Sequence, residues 1–252
     1  MPVIEIFPDP AALAQRAAEQ FAGLAEYAIR KRGRFVVALS GGSTPKQMNA
    51  LLAAPPFAEK INWSKVHIFW SDERCVSPED SESNYRMAHE TLLAHIPIPE
   101  ENVERIEGEL QAEEAARRYE NSLRMFFGRQ LGETMPIGQP MRLDLILLGL
   151  GEDGHTASLF PGTPGVRENQ RWVVPVKHET PPLPLVDRVS FTPLLINAAA
   201  NVTFLVAGAA KAERFHQVLR DPQDVDRLPA QAIKPKRGKL FWFLDQAAAG
   251  KM

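Results

Sequence analysis

Residues 149–162 read GLGEDGHTASLFPG, and in that stretch His155 follows a pair of acids, between glycines, at the end of the most apolar run in the chain. Imidazole is the side chain whose ordinary pKa lies near neutrality. A histidine at such a corner, with Asp153 two residues before it, suits general base chemistry oriented by a carboxylate. A second stretch, SGGSTP at 40–45, joins the backbone freedom of Gly41 and Gly42 to the hydroxyls of Ser43 and Thr44 and to a proline. With Thr44 as N-cap and Pro45 at the first helical position, free backbone N–H groups would face the loop, an arrangement that binds phosphate. The lysine and glycine spacings of a Walker loop or a dinucleotide fingerprint are absent. In a third stretch, SDER at 71–74, Asp72 and Arg74 suit either the orientation of a hydroxyl and a phosphate or a simple loop ion pair. Arg188, just after TPPLPLVD, and Lys211, just after FLVAGAA, are cations placed to reach the same anion.

These groups need elements that bring them together. Apolar runs rich in Val, Ile, Leu and Phe alternate with helical stretches, which predicts an α/β fold: a single doubly wound, mostly parallel sheet with helices on both faces. Strands are expected at Val3 to Phe7, 34–40, 66–70, 142–150, Trp172 to Val176, Val189 to Phe191, Val202 to Val206 and Leu240 to Leu244. The continuous apolar run at 142–150 suits a central strand. Helices are expected at Asp9 to Lys31, Pro45 to Ala53, Tyr85 to Ala94, Ala112 to Phe127 and Ala210 to Leu219, with a further short helix starting at HTASLF. Prolines cluster in loops at 135–140, 161–164 and 181–184. No repeat or long linker divides the chain, so residues 1–252 are expected to form a single domain. In an open parallel sheet, ligands bind beyond the carboxyl ends of the strands, where SGGSTP, SDER, GLGEDGH and the Lys211 corner all fall.

With 29 basic and 31 acidic residues the formal net charge is -2. No broad basic field exists for nucleic acid or a membrane surface, which points to a small-molecule partner. No apolar run approaches the roughly 20 residues of a membrane span, and the start of the chain does not read as a leader, so a cytoplasmic location is expected. Cys75 is the sole cysteine, which excludes an internal disulfide, and it reads as a packing residue. Metal binding is disfavoured because His67, His89, His95, His178 and His216 show no ligand spacing.

SGGSTP, SDER with SNYRMAHETLL, DLILLGLGEDGHTASLFPG, DRVSFTPLLINAA and FLVAGAAKAE, in this order across about residues 34–244, resemble the signature blocks of the 6-phosphogluconolactonases. That family lies within a larger group that includes the glucosamine-6-phosphate deaminases. The resemblance implies hydrolysis of 6-phospho-D-glucono-1,5-lactone in the oxidative pentose phosphate pathway without a cofactor. It also implies that His155 activates water and that Arg188 and Lys211 help hold the phosphate. A monomer or weak homodimer is expected. Against the deaminase alternative, Phe160 stands where that group's NDGHIAFNEP block carries its glutamate, five residues after the histidine. The other alternative, a sugar-phosphate sensor, would keep the phosphate site but could dispense with His155, and would usually add a DNA-binding module, for which no extra segment is seen.

Overall fold

The computed structural model describes residues 2–131 and 142–251. The expected proline loop at 135–140 lies outside them.

Among the described residues nine strands and seven helices follow one another: β1 (Val3–Phe7), α1 (Pro10–Arg32), β2 (Phe35–Leu39), α2 (Ser43–Leu52), α3 (Phe57–Lys60), β3 (Val66–Trp70), β4 (Asp72–Arg74), α4 (Asn84–Thr91), α5 (Ala112–Leu131), β5 (Leu145–Leu148), β6 (Val173–Val176), β7 (Arg188–Phe191), α6 (Pro193–Ile196), β8 (Asn201–Val206), α7 (Ala212–Arg220) and β9 (Lys239–Asp245). Six of the strands form a wholly parallel sheet in the order β1-β9-β8-β5-β2-β3. β5 is interior and buried at all four residues, as its continuous apolar sequence requires.

Alternation along the strands sends successive side chains to opposite faces, and helices cover both. Phe35 of β2 meets Phe21 of α1, and Trp70 of β3 meets Tyr85 of α4. On the other face, His67 and Phe69 of β3 pack on Phe126 of α5, and Trp242 of β9 packs on Phe215 of α7. One apolar core runs from Leu13 to Ala248 through this sheet. α1 begins where expected, with the Asp9 carboxylate accepting from Ala12 N at 2.8 Å, and it ends at Gly33, whose φ of 76° stops a right-handed helix.

The α/β, mostly parallel architecture expected from the sequence is therefore present, with one amendment. The strands expected around 172–176 and 189–191 do not extend the main sheet. With β4 they form a small antiparallel sheet, β4-β7-β6, in which Asp72 faces Ser190 and Arg74 faces Arg188. Ser71 bridges the two sheets: its N–H donates to Leu39 O and its carbonyl accepts from Phe191 N, both at 2.8 Å. Thus the chain leaves β3 of the parallel sheet and enters β4 of the small one without a turn.

The main sheet reverses strand order between β2 and β5. The loops after these two strands, Ser40–Gly42 and Gly149–Leu159, flank that switch point, the usual place for a ligand in such a sheet.

Candidate active site

The loop after β2 enters α2 differently from expectation. α2 starts at Ser43 and Gly42 takes the N-cap position, with a φ of 111° that disfavours any residue with a Cβ. Thr44 is thus not the cap. It is buried in the first turn, and Pro45 is the third helical residue, where its missing N–H costs nothing. The first intrahelical bond runs from Lys46 N to Gly42 O at 3.1 Å. The Ser43 and Thr44 N–H groups are accordingly without an intrahelical acceptor.

The HTASLF segment is not a helix. Gly154 (φ 92°) and Ala157 (φ 47°) are left-handed, and a right-handed helix cannot pass through them. Instead Thr156 and Leu159 form a bridge across a tight turn, Gly151 N donates to His155 O at 2.9 Å, and Thr156 Oγ1 donates to Gly149 O at 2.9 Å. A non-glycine residue at positive φ costs about 1 kcal/mol, and such strain concentrates at functional sites.

This turn folds the imidazole onto the acid. His155 Nδ1 lies 2.6 Å from Asp153 Oδ1, which also accepts from His155 N at 3.0 Å. Asp153, not Asp72, is therefore the partner of His155. An ionised carboxylate only accepts, so the neutral imidazole carries its proton on Nδ1 and leaves the Nε2 lone pair for a substrate. Burial on its own would raise the Asp153 carboxyl; the hydrogen bond and charge of His155 and two backbone N–H groups outweigh it and hold the acid below its ordinary value. Gly151 makes the close approach possible: a Cβ there would sit 2.1 Å from His155 Nδ1.

Asp72 has a different role. Buried at the start of β4, it accepts from Ser158 Oγ at 2.7 Å and so ties the small sheet to the His155 turn. Its neighbour Glu73 is deeply buried, and burial raises its carboxyl despite the N–H groups of Asn84, Tyr85 and Arg74 that it accepts. These bonds dock the start of α4 beside the site. Asn84 Nδ2 in turn donates to Asp72 O at 2.9 Å.

Arg74 and Arg188 are paired across β4 and β7 without a carboxylate partner among the described residues. Burial, followed by the charge of Arg74, lowers Arg188, with Asp72 the leading opposing charge. Like charges facing each other across two strands are unfavourable unless an anion joins them. Arg74 Nε and Ser40 Oγ are also buried without a hydrogen-bond partner among the described residues. Lys211 ends a 3-10 turn before α7, its Nζ 3.6 Å from Glu152 Oε1.

Ser40–Pro45, Asp72, Arg74, Asn84, Gly149–Gly151, His155, Ala157, Arg188, Leu205–Ala207 and Lys211 line one cavity of about 290 Å³. All the residues singled out in the sequence line it except Asp153, which holds His155 from behind. Asn84 carried no such signal, because an asparagine after a serine reads simply as a helix start. Elsewhere, burial pushes the Cys75 thiol up to about 11, with Asp187 and Glu73 adding to it, so it is not a thiolate at neutral pH. Among the described residues no three His, Cys, Asp or Glu side chains converge as metal ligands.

An open parallel sheet with a histidine–aspartate pair and converging cations at its switch point is the arrangement of an α/β protein that acts on a small anionic ligand. The family model for glucosamine-6-phosphate isomerases/6-phosphogluconolactonase matches residues 8–242. The chain belongs to that family. It is 40% identical over 248 residues to a protein of Oryza sativa subsp. indica named probable 6-phosphogluconolactonase 3, chloroplastic, covering 98% of this chain and 75% of the relative. To the 6-phosphogluconolactonase of a Nostoc species it is 38% identical over 250 residues, covering 99% and 98%. The structure of 6-phosphogluconolactonase from Trypanosoma cruzi superposes with a TM-score of 0.85 at 29% identity, covering 100% of this chain and 97% of that one.

Proposed function

We propose that the protein hydrolyses 6-phospho-D-glucono-1,5-lactone to 6-phosphogluconate. The observation that carries this reading is His155, held from behind by Asp153, in the wall of the same cavity as the facing Arg74 and Arg188. His155 Nε2 takes a proton from water as its oxygen attacks the C1 carbonyl, giving a tetrahedral oxyanion. The ring C1–O bond then breaks, and the departing oxygen takes the proton back from His155. Asp153 fixes the tautomer and stabilises the transient imidazolium. Arg74, Arg188, Lys211 and the Gly41–Thr44 loop hold the 6-phosphate. Backbone N–H groups of the glycine loops stabilise the oxyanion, each contributing about 3 kcal/mol. Anchoring the remote phosphate sets C1 against the water, so binding energy distant from the reaction supports the rate.

Phe160 offers no proton donor or acceptor beside His155, which favours lactone hydrolysis over the proton transfers of a deaminase. The chain acts as a single domain, as a monomer or weak homodimer, and without a cofactor or nucleic acid. Among the described residues no helix is long and apolar enough to cross a membrane. A cytoplasmic location is in keeping with the substrate, a charged phosphate ester that does not cross bilayers unaided.

The test is disappearance of enzymatically generated lactone, measured with no protein, wild type and His155→Ala, since the lactone also opens spontaneously. Wild type is expected to exceed the blank and His155→Ala to lose most of that turnover, about a hundredfold or more, while still binding phosphate. Lys211→Ala and Arg188→Ala are expected mainly to raise KM. A wild-type rate equal to the blank, with sugar phosphates still bound, would favour a sensor.

A further inference from the structure

The His155 imidazole is held on its Asp153 edge by a hydrogen bond, but a ring also needs a wall. That wall is Phe160, with its centroid 4.6 Å from that of His155 and the rings inclined at 45°. Phe160 does not belong to the main core. It forms a separate buried cluster with Val174 and Val176 of β6. Phe160 in turn meets His178, two residues past the end of β6, stacked at 4.2 Å and 20°. Arg188, directly opposite Val176 in the β6–β7 ladder, lies with Cζ 5.8 Å from the Phe160 centroid.

His178 is nearly fully buried, at 5% exposure, and it also faces the proline-rich loop between β6 and β7. Its Nε2 donates to Pro182 O at 2.5 Å, and its backbone N–H donates to Asp187 Oδ1 at 3.4 Å. The same loop presents two further carbonyls to Arg188: Pro184 O accepts from Nη2 at 3.1 Å and Val186 O from Nε at 3.3 Å. Those bonds fix the plane of the guanidinium, while Nη1 makes no hydrogen bond among the described residues.

We infer that Phe160 and His178 are positioning residues that set the two ends of the site in register: the Phe160 ring sets the tilt of the His155 imidazole, and His178 both backs that ring and clamps the loop whose carbonyls aim Arg188. The inference rests on the assignment of His155 as base and Arg188 as phosphate ligand. His178 has two separable jobs, a stacking face and a donor, and each serves a different end of the substrate. The stack acts on turnover. The clamp acts on phosphate binding.

Two substitutions at one position separate these jobs. His178→Phe keeps a ring behind Phe160 and loses the donor to Pro182 O. His178→Gln places an amide nitrogen near the Nε2 position and loses the ring. With lactone hydrolysis and phosphate binding both measured, His178→Phe is expected to hold kcat within about twofold and to raise KM and the Kd for inorganic phosphate about tenfold. His178→Gln is expected to do the reverse, lowering kcat about tenfold at near-constant KM. Phe160→Leu follows His178→Gln, and Phe160→Met replaces it should the leucine variant fail to fold. The inference is overturned if both His178 variants change the same parameter equally, if neither changes either, or if the Phe160 variant keeps wild-type kcat. His155→Ala, run alongside, separates the two failures: an active His155→Ala overturns the assignment of the base, whereas an inactive one beside an unaffected Phe160 variant overturns only the positioning role.

Discussion

An imidazole acts as a base only if one nitrogen is kept free of its proton, and at this site Asp153 decides which. Its Oδ1 accepts from both the ring and the backbone of His155, so the acid sets the tautomer and the turn together. Asp153→Asn can offer its amide N–H to Nδ1, which would leave the proton on Nε2 and remove the base. Turnover is expected to fall at least about a hundredfold with KM little changed, read in the lactone assay. The same pair makes a stability prediction. The folded carboxyl is held below the 3.8 of a free aspartate, so its contribution is complete above that value and is lost as pH falls through the folded one. Thermal unfolding from about pH 5 to pH 3 should therefore show the Tm gap between wild type and Asp153→Asn closing. A gap constant over that range would mean that the hydrogen bond adds nothing to the fold.

At the scale of elements, the small sheet explains how arginines 114 positions apart act together. β4 and β7 place Arg74 and Arg188 directly opposite each other, and Ser158 with Asp72 ties that sheet to the histidine turn. Two facing guanidiniums repel, so an anion bridging them stabilises the folded state more than it would a single exposed cation. Inorganic phosphate at about a hundred times its Kd is expected to stabilise wild type by about 2.7 kcal/mol, a Tm rise of roughly 5–10 °C. The rise should shrink in Arg74→Gln and nearly vanish in Arg188→Gln. An undiminished rise in Arg188→Gln would move the phosphate to the Lys211 side of the cavity.

Across the whole molecule, strand ends were legible because a buried parallel strand is a continuous apolar run and the residue that ends it stands out by its chemistry. Ser40, Asp72, Gly149 and Lys211 could therefore be read as neighbours of one site before their contacts were known. What escaped was set by contacts far apart in sequence. Apolar runs at 172–176 and 189–191 say strand but not which sheet, and the Ser71 bridge that splits them off is a tertiary contact. Backbone signs at Gly42, Gly154 and Ala157 moved one helix start and abolished another helix, and a sequence does not print φ. The His178–Phe160 stack joins two loops that no periodicity relates.

The residues that line the cavity come from loops at the ends of β2, β3, β5, β8 and the small sheet. A site that works within one copy is the expectation that goes with a monomer or weak homodimer. Among the described residues the large exposed apolar side chains fall in four places: Val3 and Ile6 on β1, Tyr27 on α1, Met125 on α5, and Leu183 and Leu185 on the loop between β6 and β7. Specific activity should accordingly stay constant as the enzyme is diluted across the range in which sedimentation velocity reports any dimer dissociating. A fall in activity that tracks dissociation would show that a second copy supports the site. Leu183 and Leu185 would be the first surface to test, since they lie on the loop whose carbonyls hold Arg188.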